Sequence, residues 1–193
     1  ITPTLDNLKR LMEITTDITI VDHHASSLKD LEAAGLSFPG MMTKDGIGAC
    51  VLTWMYLFPN KVIPRGVQCI GEYDAWQRTD QNKAFNFGIK TYNTFPTNNI
   101  WDKVFNDEEY VINSIMLTGR KVLSYLIPWY KKLVKSYGVT GTVNGYTALM
   151  INQPNVDSSI FDNVDGSFDI YLRVVFGKGW KWLVSITTDR DDI

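Results

Sequence analysis

The chain has 193 residues, 45% of them hydrophobic and 12% aromatic, with 21 acidic and 19 basic side chains for a formal charge of -2. That length allows one full domain or two small ones, and the apolar fraction is ample for a core, which excludes a disordered chain. The balanced charge excludes coating of nucleic acid by bulk electrostatics, but not a small basic patch beside an active site.

Thr2-Pro3 opens the first predicted helix, with Thr2 as a cap and Pro3 at the first helical position, where its missing N–H is harmless. Leu5, Leu8, Leu11 and Met12 follow at helical spacing. Ile18-Thr19-Ile20-Val21 is a short β-branched run of the kind that forms a buried parallel strand, and it leads into Asp22-His23-His24. A helix, a buried strand and polar residues at the strand's carboxyl end are the layout of an open α/β sheet, whose ligand sites lie outside the carboxyl ends of strands. Leu28 to Ala34 reads as a short helix or turn closed by Gly35. The glycine loop Asp45-Gly46-Ile47-Gly48 precedes Ala49–Phe58, apolar on most sides and therefore predicted to be a buried helix ended by Pro59. Pro64 starts another helix, through Val67, Ile70 and Tyr73 towards Asp74-Ala75-Trp76. Residues 77–107 are mixed and polar and read as short helices and loops.

From about Asp107 to Tyr137 one long helical pattern runs through Val111, Ile115, Val122, Leu126 and Leu133. Pro128 should kink it, and Gly138 can cap its end. The texture then changes. Val143–Ile151, Phe168–Phe176 and Trp180–Ile186 read as strands, the last two joined by the hairpin signal Gly177-Lys178-Gly179. The fold class is α/β, with a helix-rich first part, a connecting helix and a strand-rich tail. Cys50 and Cys69 are too few for a disulfide framework or a zinc cluster and are read as reduced core residues. No apolar run approaches the ~20 residues of a membrane span, and there is no signal peptide.

The chemistry concentrates at Asp22-His23-His24, which holds both histidines of the chain. Adjacent strand residues point to opposite faces, but at a strand's end the backbone turns and both rings can reach one cleft. Imidazole and carboxylate together suit a borderline divalent cation such as Mn²⁺, Fe²⁺, Co²⁺ or Zn²⁺. A second imidazole, left off the metal, can hold or protonate a phosphate oxygen. The alternative is a pair with no ligand, one ring capping the strand and the other exposed.

Ile20-Val21-Asp22-His23-His24-Ala25-Ser26 resembles the signature of the DHH phosphoesterase superfamily. The helix Thr4–Leu11 before it is similar to that family's, as is Gly46–Pro59 with its glycines ahead of a Leu-Thr-Trp-x-Tyr-x-Phe-Pro helix. Ile70-Gly71-Glu72-Tyr73-Asp74-Ala75-Trp76 resembles the fourth motif, an acidic metal ligand followed by an aromatic. The long helix with Gly119 and the tail Trp182–Ile186 look like the linker and the start of the DHH-associated substrate domain. The resemblance therefore implies the carboxyl-terminal part of a parallel-sheet DHH domain over 1–106, a linker helix over 107–137, and the start of a mixed α/β second domain over 138–193.

The resemblance implies metal-dependent hydrolysis of phosphodiester or phosphomonoester bonds by water activated between two divalent cations, most often Mn²⁺. His23 and Asp74 would be ligands of one metal, and His24 would contact the scissile phosphate and stabilise its developing charge. Asp22 would lie at the site and orient His23 or assist the metal. Arg65, Arg78 and Lys90 are candidate phosphate or nucleotide contacts, or else solvated surface. Trp76 either stacks a base or supports the core. The substrate side is short single-stranded nucleic acid or nucleotides, without a membrane partner, and the family implies a cytoplasmic setting.

Two further family motifs are not found. There is no His-x-x-x-Asp-x-Asp pattern before His23, the second motif would fall just upstream of Ile1, and the glycine-rich substrate loop would follow Ile193. The chain is therefore expected to be the middle of a longer protein and to be inactive by itself. The alternative is a non-catalytic module on a DHH scaffold that binds nucleotides, nucleic acid or a partner protein.

Overall fold

Thr2 and Pro3 stand before the first helix rather than in it. α1 spans Leu5–Met12 behind Thr4, and its Leu8 is fully buried. Thr2 caps nothing; it reaches Asp22 instead. The computed structural model describes residues 2–42, 46–177 and 181–188, and divides the chain into two units, Ile1–Val122 and Leu123–Ile193. Helices combine with sheets in an α/β fold.

In the first unit, β1 (Ile20–Asp22) pairs in parallel with β2 (Gly40–Met42), and α2 (Ala25–Ala33) connects them. Helix α1, the strand and α2 share a core of Leu8, Ile18, Ile20 and Leu31. Gly40 has a φ of +135°, and a Cβ there would lie 1.8 Å from the Ile20 carbonyl oxygen, so only glycine lets the two strands pair this closely. Then follow α3 (Ala49–Leu57), α4 (Arg65–Asp74), α5 (Asp80–Ile89), α6 (Ile100–Phe105) and α7 (Glu109–Tyr137).

The expectation of a buried helix at α3 is corrected. Val51 and Leu52 are buried, whereas Met55, Tyr56, Leu57 and Phe58 are exposed. The polar stretch after α4 proves to hold the centre of the larger core, where Ala84, Phe85, Val104, Ile112 and Ile115 are fully buried. α5 forms there because Thr79 and Asn82 make a reciprocal capping box, each side chain accepting from the other's backbone N–H, at 2.9 and 3.2 Å. α5 meets α7 at Gly88 and Gly119, where added Cβ atoms would lie 1.9 and 1.7 Å from the carbonyl oxygens of Ile115 and Ala84. Arg65, one of the candidate phosphate contacts, ties α4 to α7 through Asn113 Oδ1 at 3.2 Å.

α7 runs through Pro128. Tyr130 and Leu133, from its later part, join Leu149, Ile151, Val156, Ile160 and Phe161 in the core of the second unit. Gly138 does not cap the helix; it opens β3 (Gly138–Val143) directly, with no left-handed residue between. The predicted single strand Val143–Ile151 is likewise corrected. Asn144 and Gly145 have φ of 51° and 89° and turn the chain from β3 into β4 (Tyr146–Ile151), the sequence a tight hairpin favours. β5 (Ile170–Gly177) and β6 (Lys181–Thr187) complete a four-stranded mixed sheet in the order β3-β4-β5-β6, with β4 and β5 parallel. The expected β5–β6 hairpin is present as antiparallel pairing, while Lys178 and Gly179 of the hairpin signal lie outside the described residues. No helix among the described residues is long and apolar enough to cross a membrane.

Candidate metal centre

β1 ends at Asp22, and this carboxylate organises everything around it. It is fully buried. Oδ1 accepts from the backbone N–H groups of His23 at 2.8 Å and His24 at 3.2 Å, and faces His24 Nδ1 at 2.6 Å. Oδ2 accepts from Thr2 twice, from its N–H at 3.0 Å and its hydroxyl at 2.5 Å. Burial pushes this carboxyl's pKa up, but the hydrogen bonds from Thr2 and His24 outweigh it and hold the group well below the usual carboxylate range. Asp22 is therefore ionised, and its lone pairs are taken. It holds the ring of His24 and the backbone N–H groups of both histidines.

The two rings stack, with centroids 4.4 Å apart. His24 precedes α2 and its side chain is 46% exposed, against 14% for His23. His23 is held from the other side. Its Nδ1 accepts from the N–H of Ala49, the first residue of α3, at 3.0 Å. This side chain does for α3 what a capping residue does, because Gly48 has no side chain to do it. The approach of α3 depends on glycine again. A Cβ at Gly48 would lie 2.5 Å from the Cα of Gly71, and one at Gly71 would lie 2.5 Å from Val51 Cγ2. The glycine pair lets the start of α3 settle on α4, the helix that ends at Asp74.

Asp74 turns its exposed carboxylate towards His23, with Oδ2 3.7 Å from Nε2. Burial, and then the nearby Asp74 charge, push up the thiol pKa of Cys50. Cys69 is buried and Cys50 half-buried, and both are free. Beyond Asp74, Gln77 Nε2 donates to the Gly46 carbonyl at 3.0 Å and ties the end of α4 to the glycine loop. Trp76 has a φ of 62° and a half-exposed indole. The Arg78 guanidinium lies 4.2 Å over Trp76 and 4.7 Å over Tyr73. Lys90 lies over Phe87 at 5.1 Å.

The sequence-predicted residues Asp22, His23, His24 and Asp74 thus come together. Ligand atoms of the first three all lie within 4.8 Å of one another. Reading the sequence missed Thr2 and the Ala49 amide as partners; the only signal for the second was the glycine loop ahead of α3. A divalent cation fits part of this donor set. His24, with Nδ1 on a carboxylate, leaves Nε2 available in the arrangement typical of metal-binding histidines. The exposed Asp74 carboxylate is a second suitable donor. His23 fits less well, since its Nδ1 already accepts a hydrogen bond. No family model and no solved structure matches the chain. Over 159 residues it is 25% identical to uncharacterized protein R106 of Acanthamoeba polyphaga mimivirus, a match that covers 79% of this chain and 36% of that protein. The chain thus spans about a third of the length of the curated relative it matches.

Proposed function

We propose that the chain carries part of the site of a metal-dependent phosphoesterase acting on short oligonucleotides or nucleotides. One observation carries this reading: the buried Asp22 carboxylate fixes the backbone of both histidines and the ring of His24, while the Asp74 carboxylate faces the ring of His23 at 3.7 Å. A fully buried, ionised side chain that spends its hydrogen bonds on two adjacent histidines is expensive to keep unless the histidines have work to do. The resemblance to the DHH superfamily gives that work a reaction class. A bound divalent cation would supply Lewis-acid activation of water and of the phosphoryl group. The chain's own part is to hold the cation through imidazole and carboxylate, and to present a second imidazole to a phosphate oxygen. The exposed Trp76 and the half-buried Arg78 stacked on it lie two and four residues beyond Asp74, a pairing suited to a base and a phosphate. Few cysteines and the family resemblance support a cytoplasmic setting.

The test is Mn²⁺-dependent cleavage of a short oligonucleotide by the full-length protein. His24→Ala and Asp74→Ala should each lower turnover by at least about 100-fold. Turnover unaffected by both would remove the reading. A second reading is supported by the donor count. With Asp22 saturated, the described residues offer one cation few ligands, which suits a module that binds nucleotides or nucleic acid without cleaving them. Tight binding of the oligonucleotide with no Mn²⁺-dependent cleavage would establish that reading instead.

A further inference from the structure

The second unit carries a concentration of positive charge that the metal centre does not explain. From Tyr110 to Val156 the chain has five basic residues, Arg120, Lys121, Lys131, Lys132 and Lys135, and no acidic one, although its formal charge overall is -2. The three lysines of the second unit stand exposed on the last turns of α7. Lys131 and Lys135 are four residues apart, and Lys132 and Lys135 three, so their side chains are neighbours on one side of the helix. Like charges at these spacings destabilise a helix, and none of the three makes an ion pair or hydrogen bond among the described residues. The helix dipole accounts for Lys135 alone, because its pull falls off within the last turn. With Val134, the three lysines line one side of a pocket of about 500 Å³; Asn163, Val164 and Asp165 line the other. That volume lies within the range of small-ligand pockets. The single carboxylate, Asp165, faces three ammonium groups, so the pocket favours an anion. Its valines offer an apolar wall, and the Asn163 amide both donates and accepts. Lys132 also follows Trp129 by three residues and Tyr125 by seven, which places both rings on the adjoining helix face. Tyr125 is 70% exposed and Trp129 37%.

We propose that this side of α7 binds single-stranded nucleic acid, the lysine-lined pocket taking a phosphate with part of its nucleotide while Tyr125 and Trp129 stack neighbouring bases. Clustered cations beside exposed aromatic rings are the combination that holds a single strand without reading its sequence. The rings need unpaired bases, so a duplex fits less well. An anionic lipid surface also attracts lysines, but a bilayer is flat and does not enter a recessed pocket. The proposal does not rest on the phosphoesterase reading, and the binding it describes needs no metal.

Fluorescence anisotropy tests it, with a labelled oligothymidylate of about 12 nucleotides titrated with the full-length protein in excess EDTA. Lys131→Ala, Lys132→Ala and Lys135→Ala combined should lower affinity at least about 10-fold at low salt, and should cut the slope of log affinity against log salt by about 2. Tyr125→Ala alone should lower affinity about 5-fold or more and leave that slope unchanged. All four side chains are exposed, so both variants should fold. Unaltered affinity and slope in the lysine variant, or unaltered affinity in Tyr125→Ala, would overturn the proposal. So would a lysine variant that loses binding to phosphatidylserine vesicles while its oligonucleotide binding stays intact. Mn²⁺-dependent cleavage by the same proteins separates this proposal from the enzyme reading. Cleavage by the unaltered protein, with no loss of affinity in the lysine variant, would leave the enzyme standing and remove this face. Affinity weakened as stated, with no cleavage by the unaltered protein, would do the reverse.

Discussion

Two aspartates, one in each unit, make the same pair of hydrogen bonds. Asp22 accepts from the N–H and hydroxyl of Thr2 at 3.0 and 2.5 Å. Asp169 accepts from the N–H and hydroxyl of Thr147 at 2.8 and 2.7 Å. The second, at the lip of the sheet, pins the start of β4 beside that of β5, in exposed surroundings. The first is fully buried at the end of β1 and carries three further hydrogen bonds to His23 and His24. One local motif is thus used twice, once as a staple and once as the anchor of a site. Burial makes the difference, because an ionised group out of water must have every lone pair satisfied.

The comparison can be broken by removing both. Asp22→Ala should cost about 3–5 kcal/mol in chemical denaturation, since it strips the partner from a buried polar network. Asp169→Ala should cost about 1 kcal/mol. Equal losses would mean that burial does not separate the two. Gly119→Ala tests whether the helix crossing that supports the first unit is as tight as it looks. The added Cβ would meet the Ala84 carbonyl oxygen, and a loss of about 1–3 kcal/mol is expected. The corresponding change at Gly141 in β3, where a Cβ meets nothing within 4 Å, should be nearly neutral or slightly stabilising.

Acid sharpens the contrast further. The Asp22 carboxyl is held below its unfolded value, so its contribution to stability is full above the unfolded pKa of about 4 and is lost as pH falls below it. In the unaltered protein, unfolding free energy should drop on acidification below about pH 4, and Asp22→Asn should flatten that part of the profile. A smaller effect concerns Cys69, another buried residue of the first unit. Burial, and then Glu72, push the Cys69 thiol up to about 11. At neutral pH it should therefore react with iodoacetamide much more slowly than a free thiol, and more slowly than Cys50 on grounds of exposure.

The outline of the fold was legible wherever one signal dominated. The β-branched run before Asp22, the Pro64 helix start and the long pattern into Tyr137 all lie within a few residues of the observed elements. Polar stretches were harder. Residues 77–107 read as short helices and loops, which α5 and α6 bear out, but the buried Phe85, Ile89 and Val104 among many Asn and Thr, and the capping box at Thr79 and Asn82 that starts α5, went unrecognised. Asn144-Gly145 was hidden inside a run that otherwise looked like a strand. At the site, residue types and order pointed to Asp22, His23, His24 and Asp74. Their anchors did not follow, because Thr2 lies 20 residues from Asp22 and Ala49 lies 26 from His23. No local pattern reports such distant hydrogen bonds, yet these decide what each imidazole offers.

Calorimetric titration of Mn²⁺ into the full-length protein, its His24→Ala variant and its Asp74→Ala variant tests the site most directly. Saturable binding by the unaltered protein, weakened at least about 10-fold in each variant, is the predicted result. Binding of equal strength in all three, or none in any, would contradict it.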